Sequence, residues 1–120
     1  MLVYGVASLL HFTHNAVFLL DYPNMPPTLT SLGVYGAFGV VAAVGLVGYL
    51  LYRSGQVRTG LIVIGIYAAL GFGGLDHYVV APLSAHTMMM NLTIMVEVAT
   101  ATVLLVVVVR LFLQRKRSHA

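Results

Sequence analysis

The sequence predicts an all-α bundle of four transmembrane helices with both termini in the cytoplasm. Three observations carry this reading. The 120-residue chain is 60% hydrophobic and only 8% charged, with a mean hydropathy of +0.97, far from the composition of water-soluble domains. Four apolar stretches each approach the roughly 20 residues that a helix needs to cross a hydrocarbon core of about 30 Å. All six Lys and Arg residues fall on one side of a four-span arrangement. The stretches lack the alternation of barrel strands, and four strands cannot close a barrel.

The first span covers residues 1–20. It has no Lys or Arg ahead of its apolar run, and the segment Asp21, Tyr22, Pro23, Asn24, Met25, Pro26 and Pro27 takes the place of a small-residue cleavage site, so it reads as a retained helix and not a signal peptide. Proline-rich residues 21–30 form the outer connection. The second span covers residues 32–52, and residues 53–59 turn on the opposite side. The third covers residues 60–81, and the fourth covers residues 87–113 after a break at residues 82–86. One integral membrane domain, 1–120, leaves no room for a soluble one.

Arg53, Arg58, Arg110, Arg115, Lys116 and Arg117 share one face, which the positive-inside rule assigns to the cytoplasm of a multi-pass cell-membrane protein. They read as a topology signal, too few and too dispersed for nucleic acid. Tyr4, Tyr49 and Tyr52 are expected near the inner interface, and Tyr22 and Tyr78 near the outer one. Gly33/Ala37, Gly39/Ala43 and Gly65/Ala69 have the spacing that lets membrane helices approach closely, within the bundle or against another subunit. With no cysteine, thiolate ligands and nucleophiles are excluded.

The polar residues gather in the outer half. All three acids, Asp21, Asp76 and Glu97, map there with His11, His14, His77 and His86, while His119 lies in the tail. Ionisable groups at membrane depth are costly and usually face the bundle interior. On the first span, Ser8, His11, His14 and Asn15 form a stripe, with His14 about 9 Å and His11 about 13 Å below the outer edge at the helical rise. Imidazoles at i and i+3 can share a metal ion or simply hydrogen-bond to neighbouring helices. Adjacent Asp76 and His77 cannot both share one face. Either could point inward, with His77 as ligand and Asp76 supporting it, or Asp76 could hold the histidines of the first span. Glu97 falls about 15 Å deep, near the midplane, on a face with Thr93, Thr100 and Ala101. It reads as a ligand, a proton acceptor or a partner of His11. Met88, Met89 and Met90 beside His86 would suit a soft ion such as Cu(I), although they are also ordinary apolar residues.

The run 10–23 with His11, His14, Asn15 and Tyr22, followed by Asp76, His77, Tyr78, Ala81, Pro82, Ala85, His86, Thr87, Asn91 and Glu97, resembles small bacterial four-helix integral membrane proteins with no assigned activity. That likeness implies a topology and brings no cofactor or ligand set. Small multidrug-resistance transporters are similar in length and span number, but their embedded glutamate lies in the first helix, whereas here Glu97 lies in the fourth. The motifs of sterol-isomerase and sigma-2-type bundles are absent.

Three functions follow as expectations. The first is a metal-binding membrane protein in which His11, His14, Asp76, His77, His86 and Glu97 hold one copper, zinc or iron ion, with a redox or metal-handling role. Di-iron chemistry fits poorly with a single Glu. The second is a non-catalytic accessory subunit, assembled with other membrane subunits or with further copies of itself. The third is a small proton-coupled transporter or binder using Glu97 and the histidines.

Overall fold

The computed structural model describes residues 1–118, with side chains through Arg115, so His119 and the Lys116 and Arg117 side chains lie outside the described residues. Helix α1 spans Leu2–Val17, α2 Ser31–Arg53 and α3 Val57–Leu70; a 3-10 run at Gly71–Asp76 leads into the single turn α4, His77–Val80, and α5 spans Met88–Ser118. Because α3, the 3-10 run and α4 are continuous, the described residues form four rods. Among the described residues there is no strand.

Three rods, Ser31–Arg53, Val57–Val80 and Met88–Arg115, are long and apolar enough to cross a membrane. The first is shorter than the sequence suggests. Phe18 leaves helical geometry at φ −107° and ψ 28°, and Leu19–Asp21 tighten into a 3-10 turn. The 16 residues of α1 therefore measure about 24 Å at 1.5 Å per residue. Its end is tied down from α2, where the Ser31 hydroxyl donates to the Ala16 carbonyl at 2.8 Å, satisfying an acceptor that the terminated helix leaves open. Thr30 caps α2 by accepting from the Gly33 amide at 3.1 Å.

The rods close a ring in which α1 and α3 each pack between α2 and α5. On α5 the buried residues Met90, Ile94, Glu97, Ala101, Leu104 and Val108 alternate by four and three positions, the spacing of a coiled-coil seam. Tyr4, Ser8, His11 and Asn15, also buried, form the matching edge of α1. Arg53, Arg58 and Arg110 mark one end of the bundle, called here the arginine end; His14, His77 and His86 mark the histidine end. Toward the arginine end, Leu61, Ile64, Tyr67, Ala68, Leu104 and Val108 form the apolar core with Tyr4 and Ala101.

The close approach of α2 and α3 uses glycines other than the expected stripes. A Cβ on Gly48 would sit 2.9 Å from the Ile64 backbone nitrogen, and one on Gly60 would sit 2.5 Å from that of Tyr52. Gly45 likewise meets the Tyr67 ring, whereas Gly39 has open space beside it and Gly65 makes only an ordinary contact. The turn between these helices depends on Gly55, whose φ of +88° lies in the left-handed region that glycine enters without penalty.

The tyrosines expected near the two interfaces differ in exposure. Tyr49 and Tyr52 are exposed, but Tyr4 and Tyr22 are buried, and the Tyr4 ring packs 4.6 Å from that of Tyr67.

Candidate functional site

The polar edge of α1 faces the seam of α5 at the level of Glu97. His11 Nε2 lies 3.7 Å from Glu97 Oε2, and both residues are almost completely buried. This exceeds a normal hydrogen-bond length but is within ion-pair range. The other His11 nitrogen, Nδ1, lies 3.4 Å from Thr93 Oγ1. Thr93 uses its only hydroxyl hydrogen on the Met90 carbonyl, at 3.0 Å, so it can act only as an acceptor toward His11. That assigns the Nδ1 proton to His11 and aims Nε2 at Glu97. The couple has zero net charge as imidazole with carboxylic acid and also as imidazolium with carboxylate, so a proton can change sides without adding net charge at depth.

Room for the carboxylate comes from α3 and the turn after it. A Cβ on Gly74 would lie 3.1 Å from Glu97 Oε2 and 3.9 Å from His11 Nε2; one on Gly71 would lie 2.6 Å from Ala101 Cβ and 2.8 Å from the Tyr4 hydroxyl. Leu70, just before the run, and Asp76, its last residue, both have φ −61° and ψ −25°, near 3-10 values. With three residues per turn, Gly71, Gly74 and His77 stack on one face, and all three are buried. Continued α-helix would have placed His77 about 120° from Gly71. The 3-10 run thus selects between the two neighbours that the sequence leaves open: His77 turns inward, while Asp76 is exposed and stands outside the cluster.

From His11 the polar groups continue toward the histidine end. The rings of His11 and His77 are 5.4 Å apart, and the Asn15 amide donates from Nδ2 to His77 Nε2 at 3.1 Å. His77 lies 4.9 Å from the Tyr22 ring and 6.1 Å from that of His86. His14 reaches the same group from the side, its Nδ1 hydrogen-bonded to the Tyr22 hydroxyl at 2.9 Å. Burial raises the Tyr22 hydroxyl pKa to about 12, so it stays a neutral phenol at ordinary pH.

His86 is held by its own loop. Its Nδ1–H donates to the Pro82 carbonyl at 3.1 Å, and since a carbonyl only accepts, neutral His86 presents a bare lone pair on Nε2. That nitrogen is buried without a hydrogen-bond partner. Asn91 Nδ2 fixes the loop by donating to the Leu83 and His86 carbonyls, while Asn91 Oδ1 accepts from the Tyr78 hydroxyl at 2.9 Å. Of the three methionines only Met90 is buried, and its sulfur accepts from the Thr87 amide at 3.4 Å.

The six residues expected as metal ligands therefore divide. His11, His77, His86 and Glu97 lie along the buried seam, His14 flanks it, and Asp76 faces away. Among the described residues, no three His, Asp or Glu side chains converge on a point that could hold a metal ion. Residues that the sequence did not offer as candidate ligands also matter. Tyr4 stands at the other end of the seam, and its hydroxyl and that of Ser8 are buried without hydrogen-bond partners. Thr93 was visible only as a face neighbour of Glu97, and the Met90 carbonyl that fixes its role is a backbone group with no sequence signal. The chain matches no protein-family model, no curated protein and no solved structure.

Proposed function

We propose that the protein is a multi-pass cell-membrane protein with its arginine end and both termini at the cytoplasmic face, and that it acts as a small proton-coupled binder or transporter centred on Glu97 and His11. The orientation is supported by Arg53, Arg58 and Arg110 clustering at one end. The observation that carries the activity is the buried His11–Glu97 couple, 3.7 Å apart, set in a seam shared with His77, Asn15 and His86. A membrane-embedded acid facing an imidazole of fixed tautomer suits proton handling. Toward the arginine end the seam gives way to apolar packing, so proton access is assigned to the histidine end. Metal binding has less support, because the couple supplies two ligands and, among the described residues, no third His, Asp or Glu side chain joins it.

Glu97 is the only glutamate in the chain, so glutamate-specific isotope labelling reports it alone. Infrared titration of the labelled protein in bilayers should show the Glu97 carboxyl band and a histidine ring band changing together. In Glu97→Gln both changes should be absent. A histidine band that titrates identically in wild type and Glu97→Gln would overturn the proposal, since coupled groups titrate as a pair.

A further inference from the structure

Beside the buried seam, α1 and α5 leave a groove of about 450 Å³ between them, within the roughly 300–1,000 Å³ of small-molecule sites. Ala7, its smallest lining residue, is buried, whereas Leu10, Val17, Met89, Leu92 and Val96 are exposed. The groove therefore opens sideways, on the flank of a rod long and apolar enough to cross a membrane, and no Asp, Glu, Lys or Arg lines it. Its polar lining residues are Thr13, His14 and Thr93. A threonine inside a helix commonly returns its hydroxyl to a carbonyl three or four residues back, as Thr93, Thr100 and Thr102 do at 2.8 to 3.0 Å. Thr13 makes no such bond among the described residues. His14 uses Nδ1 on the Tyr22 hydroxyl, and its Nε2 has no hydrogen bond among the described residues. Thr93 donates to Met90 and accepts from His11, which leaves one lone pair on its oxygen. Unmet hydrogen-bonding groups are costly in hydrocarbon, and a phospholipid acyl chain satisfies none of them.

We propose that this groove binds an uncharged alcohol with a hydrocarbon body, taken up sideways from the bilayer. The apolar walls suit the hydrocarbon. A charged head would find no counter-ion among the lining residues, and burying it unpaired is prohibitive. A hydroxyl is both donor and acceptor, so it can give its hydrogen to the Thr93 oxygen and accept from the Thr13 hydroxyl, whereas a carbonyl or ether fills only the second role. Thr93 is then common to the groove and the couple, since the same oxygen receives the His11 Nδ1 proton. The assignment names a ligand for the binder or transporter proposed above, and its link to the couple rests on that reading; occupation of the groove does not.

Photolabelling of the protein in phosphatidylcholine nanodiscs tests the site, with a diazirine-bearing dodecanol as the probe. Labelling should saturate, map to residues 7–18 and 89–96, and be competed about tenfold better by dodecanol than by dodecane, which lacks the hydrogen-bonding head. Thr13→Val keeps the side-chain shape and removes the hydroxyl, and should weaken binding about fivefold. Val96→Phe adds a ring at an exposed position on the groove, where it disturbs no core packing, and should abolish saturable labelling. Labelling that never saturates, or dodecane competing as well as dodecanol, would mean that any nearby hydrocarbon chain fills the groove and would overturn the inference. Saturable labelling together with uncoupled infrared titration would remove the proton reading and leave the groove standing, whereas coupled titration with unsaturable labelling would remove the groove alone.

Discussion

The two ends of the bundle are built on the same seam of α5 but filled differently. Toward the arginine end, Ala101, Leu104 and Val108 meet Leu61, Ile64 and Tyr67, and α3 is regular α-helix. Toward the histidine end, Glu97 meets His11 and Gly74, and the same rod tightens to 3-10. Apolar packing needs the right volume, which several side chains can supply. A buried couple needs particular atoms opposite each other, and here the backbone changes its turn to provide them. The histidine end should therefore be brittle where the arginine end is tolerant.

The largest effect should come from separating the couple. His11→Leu or Glu97→Leu alone leaves one buried ionisable group unpartnered and should cost about 3–5 kcal/mol in reversible unfolding in mixed micelles. The double variant should recover much of that loss, because an apolar pair of suitable volume replaces a buried ion pair at little cost. Leu104→Met, in the apolar half, should cost less than about 1.5 kcal/mol. If the double variant were as unstable as the sum of the single ones, the couple would not be a self-contained pair and the contrast between the two ends would fail.

Next in size is the effect of adding bulk where the rods touch. Gly71→Val must displace Ala101 or Tyr4, which a Cβ would approach to 2.6 and 2.7 Å, and should destabilise by about 1–3 kcal/mol. Gly36→Ala has nothing within 4 Å and should stay within about 0.5 kcal/mol of wild type. Equal effects would mean that the glycines of the histidine end are there for helix flexibility, not for close approach.

These contrasts also explain what the sequence made legible. Three membrane-compatible rods follow from hydropathy summed over long windows, a signal that local packing does not disturb. His11, His14, Asp76, His77, His86 and Glu97 all stood out alike, because ionisable residues are rare in so apolar a chain, and nothing in that signal separated the four on the seam from His14 and Asp76. Choosing His77 over Asp76 was beyond a helical-periodicity argument, since that argument assumes about 100° per residue, and the chain turns more tightly through Gly71–Asp76. Which glycines make contacts inside the bundle was hidden for a related reason. Small residues recur along α2 at several spacings, and only the position of α3 decides that Gly45 and Gly48 carry the contact while Gly39 does not. The nearness of Tyr4 to the chain start says nothing of its packing against Tyr67 and Gly71, which only the neighbouring rods decide.

The smallest effect isolates the connection that closes the histidine end. Tyr22→Phe keeps the buried ring and removes the hydroxyl that bonds His14 at 2.9 Å, so it should cost about 1 kcal/mol near neutral pH. The sign of its pH dependence follows from the raised Tyr22 pKa of about 12 against an ordinary tyrosine value of about 10. Below the lower value both folded and unfolded chains keep the phenol proton, and the hydroxyl contributes its full stabilisation. Between the two values the unfolded chain releases that proton more readily than the folded one, so unfolding becomes easier as pH rises. The stability of wild type relative to Tyr22→Phe should therefore be flat through neutral pH and fall above about pH 10. Because Tyr4, Tyr67 and Tyr78 are common to both proteins, their titration largely cancels in the difference. A difference that stayed constant to pH 12 would mean that Tyr22 meets water in the folded chain, and the histidine end would then be an open mouth instead of a packed closure.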